Sequence, residues 1–302
     1  MFDGRNEVSD VVSGEPFPQF RAVDDVGSQL AAHDYLADEG LATAIFLALK
    51  LGKPLLLEGQ PGVGKTEAAK ALGAITGRSV VRLQCYEGID APQALYEWNY
   101  ARQLLSLRQA GEQAVDLYTP AFLIERPLLA VLRNPLERLL LIDEVDRADP
   151  EFEAFLLEFL SDFQISIPEV GTQTAAVRPI VIMTSNRTRD LHEALRRRCM
   201  YHWIAYPDAD REAEIILRRA GDVVTSTAEA VARAVQGLRG LTLAKPPGIS
   251  EAIEWARAAT LLINSAGWPD AFRRAVGVVI KDEEDLATVA PHLDSLLKKS
   301  CV

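Results

Sequence analysis

Residues 54–77 read PLLLEGQPGVGKTEAAKALGAITG, and this stretch decides the fold. A short apolar run, PLLLE, passes into a glycine-rich turn and then into an alanine-rich segment of helical character. In the turn, Gly59, Gln60, Pro61, Gly62, Val63, Gly64, Lys65 and Thr66 fit the spacing G-x-x-x-x-G-K-[ST]. Each element has a physical reason. Glycines let successive backbone N–H groups curl toward one anion, and the helix that follows turns its positive end on it. A lysine in this place bridges phosphate oxygens, and the hydroxyl beside it is a ligand for Mg²⁺. The order strand, turn, helix therefore predicts a nucleotide site, with ATP and Mg²⁺ as the expected cofactors.

From about residue 54 to 206, short apolar runs alternate with helical patterns, which is the signal of stacked βα units and a mostly parallel sheet. Five strands are expected at PLLLE (54–58), VVRL (80–83), LLLID (139–143), IVIMTS (180–185) and YHWIA (201–205). Their near-continuous hydrophobicity suits strands covered on both faces. The third ends in Asp143 and Glu144. Asp143 is expected to hold Mg²⁺ through water, and Glu144 to orient and polarise the attacking water. Asn186 follows the fourth strand, where its amide can sit between the terminal phosphate and that water. Next to the acids, PEFEAFLLEFLSD places Phe152, Phe155, Leu156, Phe159 and Leu160 on one helix face.

The chain between Lys65 and Asp143 is longer than one βα unit needs. The excess lies around LQCYEGIDAPQALYEWNYARQLL (83–105), where Tyr86, Tyr96, Trp98 and Tyr100 alternate with Glu87, Asp90 and Glu97. A hairpin is expected before Asn186, with QISIPE and QTAAV on either side of a turn at Val170, Gly171 and Thr172. Beyond YPDAD (206–210) the strand signal stops and helical patterns follow one another. The expected organisation is a flexible tail at 1–22, an α/β core at 23–206 and a helical domain at 207–302.

With 302 residues, 48% of them hydrophobic and 25% charged, the chain has material for a large core. The first segment lacks the basic and apolar regions of a signal peptide, and LATAIFLAL (41–49) is too short to span a membrane. No transmembrane segment and a cytoplasmic location are expected. Cys85, Cys199 and Cys301 lack metal-site or disulfide spacing and read as free thiols. The net charge of -11, from 43 acids against 32 Lys and Arg, opposes a sequence-independent grip on nucleic acid.

In this order the elements resemble the AAA+ ATPases, and within them the MoxR family, in its CoxD-like branch of accessory ATPases for carbon monoxide dehydrogenase. The residues that carry the resemblance are GQPGVGKT, LQCYEGIDAPQALYEWNYARQLL, LLLIDEVDRADPEFEAFLLEFLSDFQISIPEVG, TSNRTRDLHEALRRRC and KPPGISEAIEWARA. The resemblance implies a P-loop αβα sandwich with a five-stranded parallel sheet, an insert at helix 2 (about 86–105), a hairpin before sensor 1 (about 164–178) and an α-helical lid from about 207. It also implies a homo-oligomeric ring, commonly a hexamer, that works with a von Willebrand factor A domain protein on a metalloenzyme client. Related branches serve nitric oxide reductase or rubisco instead. One departure stands out: family members usually carry a sensor-2 arginine at the start of a lid helix, and here Ala252 and its neighbours are not arginine, which leaves Lys245 or Arg257 as substitutes.

Arg196, Arg197 and Arg198 stand side by side before an apolar strand, an arrangement that costs repulsion and desolvation unless an anion meets it. The resemblance supplies one, because the family places an arginine finger here that reaches the γ-phosphate held by the neighbouring subunit. Arg198 matches that position, with Arg197 next to it.

Overall fold

The computed structural model describes residues 20–111, 114–266 and 268–300, with the side chains of 263–269 and 297–300 left aside. Among them the chain divides into two compact units. The first comprises the segment up to His33 together with Ala37–Leu57 and Leu72–His202, and the second comprises Asp34–Leu36, Glu58–Ala71 and the chain from Trp203 onward. Residues 1–19 of the expected tail lie outside the described residues. Order begins before residue 23, however: Phe20 is fully buried, and the backbone N–H groups of Arg21 and Ala22 both donate to the Asp25 carboxylate.

Five strands form the central sheet: β1 (Leu55–Gly59), β2 (Ser79–Gln84), β5 (Arg138–Asp143), β8 (Ile180–Ser185) and β9 (Met200–Ile204), in the order β2-β5-β8-β1-β9. All five expected strands are present, each within a residue of its expected start, and β2 and β8 both pair with β5 in parallel. Strand position explains the sequence pattern. The residues of β1 and β8 are buried throughout and those of β5 almost so, whereas β2 and β9, at the edges, alternate with exposed positions. The first unit also holds α1 (Val23–Ala32) and α2 (Glu39–Leu51), the latter capped by Asp38, whose carboxylate accepts from Leu41 N at 2.6 Å. Helix α3 (Lys65–Thr76) follows β1 directly after the glycine turn.

The insert extends beyond its expected end. After α4 (Ala91–Leu95) and β3 (Tyr96–Trp98), α5 runs over Tyr100–Ala110, and β4 (Leu123–Glu125) returns antiparallel to β3. The added structure therefore closes at residue 125 and not near 105, because a three-residue strand pairs with a partner far along the chain. Several residues singled out in the sequence have structural duties here. Trp98 packs edge-on to Tyr96 and Tyr118, Asp90 caps α4 through Gln93 N at 2.9 Å, and Glu97 is ion-paired with Arg126.

Helices α6 (Pro127–Arg133) and α7 (Pro150–Asp162) complete the main core, with Phe152, Leu156, Phe159 and Leu160 buried as the periodicity predicts and Phe155 packed against them in part. The hairpin forms from β6 (Gln164–Ile167) and β7 (Gly171–Thr174), but its turn falls at residues 168–170, two positions earlier than expected. Pro168 has no N–H to extend the ladder, and Gly171 closes the loop at φ +88°, which returns it and Thr172 to the strand. Helix α8 (Glu193–Arg198) precedes β9.

In the second unit α9 (Ala209–Ala220), α10 (Thr225–Arg239) and α11 (Ile249–Ala266) are followed by shorter helices at Trp268–Arg274, Val276–Val279, Glu283–Val289 and Leu293–Ser300. Their core is built from Ile216, Val231, Val235, Leu238, Trp255 and Phe272, with Trp255 and Phe272 in ring contact at 4.2 Å. Among the described residues no helix is long and apolar enough to cross a membrane.

Candidate functional site

The glycine turn belongs to the second unit. Gly59 is obligatory there, because a Cβ on it would lie 2.3 Å from the carbonyl oxygen of Ile204. Gly62 and Gly64 take φ of +76° and +92°, a region that side chains rarely adopt. Lys65 is buried, and its Nζ donates to the carbonyls of Gly59 (2.7 Å) and Gln60 (2.9 Å), which draws the loop around the ammonium. The next two carbonyls are also engaged: Pro61 O accepts from the Tyr206 hydroxyl at 3.1 Å, and Gly62 O from Ile249 N at 2.9 Å. A peptide unit carries its N–H opposite its C=O. The amides of Gly62 and Val63 thus face away from those partners, at the start of α3, where an anion is favoured.

The acidic end of β5 belongs to the first unit. Asp143, 2% exposed, accepts hydrogen bonds from the Thr184 hydroxyl and from Arg82 Nε at 2.8 Å. Glu144 turns away from the strand at φ +55°, and its N–H donates to Thr184 Oγ1 at 2.9 Å. Its carboxylate accepts from Gln84 Nε2 (2.9 Å) and Asn186 Nδ2 (3.3 Å) and is ion-paired with Arg147 at 3.2 Å. The structure thus joins three of the expected residues, Asp143, Glu144 and Asn186, in one hydrogen-bonded cluster.

Sequence reasoning missed the residues that hold this cluster. Arg82 and Gln84 lie on β2, which is the neighbour of β5 in the sheet but not in the chain. Asp146 is buried, and its carboxylate accepts from Asn186 N (3.2 Å), Thr188 N (2.8 Å) and Thr188 Oγ1 (2.7 Å), so it fixes the segment that presents Asn186. The available signal was the third acid in IDEVDR. Replacing Arg82 by Met leaves a buried carboxylate without its cation. Losing a fully buried partner costs about 3–5 kcal/mol, but Arg82 is 54% exposed, so we expect about 1–2 kcal/mol after solvent screening. Denaturant melts of the metal-free protein check this, and an unchanged midpoint would contradict it.

These groups suit Mg²⁺. Asp143 and the hydroxyl of Thr66 are hard oxygen donors, and among the described residues no cluster of three or more His, Cys, Asp or Glu forms a protein-only cage. Mg²⁺ is ordinarily held by one or two protein oxygens together with phosphates and water, so either oxygen taken by itself is of the usual kind.

The three arginines have different surroundings. The Arg196 guanidinium lies over the Tyr201 ring at 5.4 Å, and Arg197 is ion-paired with Glu193 one turn earlier. Arg198, the last residue of α8, is exposed and makes no ion pair with a described residue. Neither Arg197 nor Arg198 is bonded to the cluster around Glu144 in the same chain. The start of α8 is itself anchored, since Glu153 accepts from His192 N at 2.8 Å and pairs with Arg189.

Cys85 and Cys199 are free, and burial pushes both thiols up to about 12, which favours the protonated form; Cys301 lies outside the described residues. The two candidates for a sensor-2 role are engaged within the lid. Arg257 donates to the last carbonyls of α9, Arg219 O (2.5 Å) and Ala220 O (3.3 Å), and Lys245 Nζ donates to Asp282 at 3.3 Å.

Residues 54–199 match the family of the AAA domain, dynein-related subfamily, and every residue of the loop, the acidic cluster and the arginine row falls within that span. An uncharacterized protein of Staphylococcus haemolyticus is 26% identical over 222 residues, covering 71% of this chain and 78% of its own length. A solved structure from Cytophaga hutchinsonii, described as a candidate ATPase, is 16% identical and aligns over 92% of this chain and 93% of its own, with a TM-score of 0.46. The chain has the α/β P-loop AAA+ fold with a helical C-terminal part, and the matched domain supports an AAA+ ATPase.

Proposed function

We propose that the chain is an ATP-hydrolysing motor of the MoxR type, which assembles as a homo-oligomeric ring, with six subunits expected, and remodels a protein client. The cluster of Asp143, Glu144 and Asn186 is the observation that carries this reading, because a binding scaffold would have no use for an acid held ready to polarise water. On this account the amides of the loop and Lys65 bind the phosphates, and Thr66 and Asp143 hold Mg²⁺, which neutralises charge on the phosphate oxygens. Glu144 takes the proton of the attacking water. Asn186, Gln84 and Arg147 fix the orientation of its carboxylate. Arg198 supplies the remaining cation to the γ-phosphate of the adjoining subunit.

The client is a metalloenzyme on this reading, by resemblance the molybdenum- and copper-containing carbon monoxide dehydrogenase or a related molybdenum hydroxylase, reached together with a von Willebrand factor A domain protein. A protein client is supported by the insert, where α5 exposes Tyr100, Leu104, Leu105 and Leu107, a surface suited to apolar contact and not to phosphate backbones. Pull-down of the tagged protein with its co-encoded neighbours tests the client. A von Willebrand A protein with dehydrogenase subunits is the expected result, and nitric oxide reductase or rubisco subunits would redirect it. ATPase activity stimulated by DNA in a salt-dependent way would contradict the protein-remodelling reading.

A further inference from the structure

The lid of this chain meets the phosphate loop through backbone. Gly62 and Gly248 are so close that a Cβ on either would lie 2.7 Å from the Cα of the other, and Ile249 N, at the start of α11, donates to Gly62 O. Side chains fix the lid's half of this contact. Glu251 accepts from Gly248 N at 3.1 Å, and Arg239 Nε donates to Pro247 O at 2.8 Å. The other guanidinium nitrogens of Arg239 bind both oxygens of Glu212, at 2.8 and 2.7 Å, in a pair that is 9% and 0% exposed. The same guanidinium stacks on the Tyr206 ring at 3.9 Å, and Tyr206 donates to Pro61 O. Arg239 therefore braces both lid groups that bind loop carbonyls.

We propose that this clamp, with Arg239, Tyr206 and Gly248 as positioning residues, couples the lid to nucleotide in place of an arginine side chain reaching the phosphates. The proposal rests on the reading of the loop as the ATP site. Its physical basis is that two peptide units are shared. The unit from Pro61 to Gly62 gives its carbonyl to Tyr206 and its amide to the ligand, and the unit from Gly62 to Val63 gives its carbonyl to Ile249 and its amide to the ligand. A peptide whose N–H binds an anion is polarised and accepts more strongly at its oxygen. Nucleotide thus tightens the lid's hold, and by linkage the lid tightens the loop's hold on nucleotide.

The test uses the full chain with ADP as probe. Calorimetry on the wild type reads binding at the loop, and amide hydrogen exchange with and without ADP reads the clamp at Ile249. In the wild type ADP raises protection at Ile249 and the residues after it. Gly248→Ala places a methyl against Gly62, so the ADP-dependent protection is lost and ADP affinity falls about fivefold or more, the lower range of such couplings. Tyr206→Phe keeps the ring under Arg239, removes one carbonyl bond and gives a smaller loss of the same kind, which guards against a folding defect in the first variant. Undiminished ADP-dependent protection in Gly248→Ala, or a Tyr206→Phe protein equal to wild type in both readouts, would overturn the proposal while leaving the ATP reading intact. Failure of the wild type to bind ADP would overturn that reading and the proposal with it.

Discussion

Arg198→Ala is expected to lower the kcat of ATP hydrolysis by about 10³ to 10⁵, the range in which arginine fingers act, with ADP affinity nearly unchanged. The surroundings of the three arginines favour Arg198 over its neighbours for this role. Arg196 is committed to the Tyr201 ring and Arg197 to Glu193, and only Arg198 stands exposed without an internal ion pair among described residues. Arg198 ends α8, where the helix dipole favours a cation by only about 0.3–1 kcal/mol at an exposed position, so its loss should cost little stability. Arg197→Ala breaks an exposed one-turn pair, an interaction of only a few tenths of a kcal/mol, so its effect on turnover should be far smaller. Steady-state phosphate release by both variants compares them, and equal losses would mean that the row acts as a unit.

Glu144→Gln is the second large effect. Removal of a general base costs about 10² to 10⁴ in rate, and here the isosteric amide retains most of the surroundings. Its carbonyl oxygen still accepts from Gln84 or Asn186, whereas its NH₂ faces one donor, a mismatch of about 1 kcal/mol. The variant should fold, bind ATP and keep it, because the loop and Asp143 are untouched. Gel filtration of the protein with labelled ATP reads retention, and a single-turnover assay reads the chemical step. Hydrolysis at the wild-type rate would remove Glu144 from the role of base.

The central strands and the glycine loop were legible because their physics is local. A strand buried on both faces must be apolar throughout, and a phosphate turn needs its glycines at fixed spacing. What escaped was set by pairing between distant parts of the chain. Nothing in the local sequence assigned Arg82 or Gln84 a role, and only the order β2-β5 brings them against Asp143 and Glu144. The insert's end depended on β4 finding β3, and the hairpin's turn on Pro168 competing with Gly171. Nothing in the sequence singled out Gly248. Its partner Gly62 lies in the loop, and no periodicity connects the two.

The claim on which the account turns is that each working site is completed by Arg198 of another subunit. Neither Glu144→Gln nor Arg198→Ala protein should hydrolyse ATP appreciably alone, yet mixed and reassembled rings contain interfaces where an intact Glu144 meets an intact Arg198. Steady-state phosphate release measured against mixing ratio should rise from near zero for either variant to a maximum at intermediate composition. A flat line at the level of the single variants, or full activity of Arg198→Ala by itself, would contradict it.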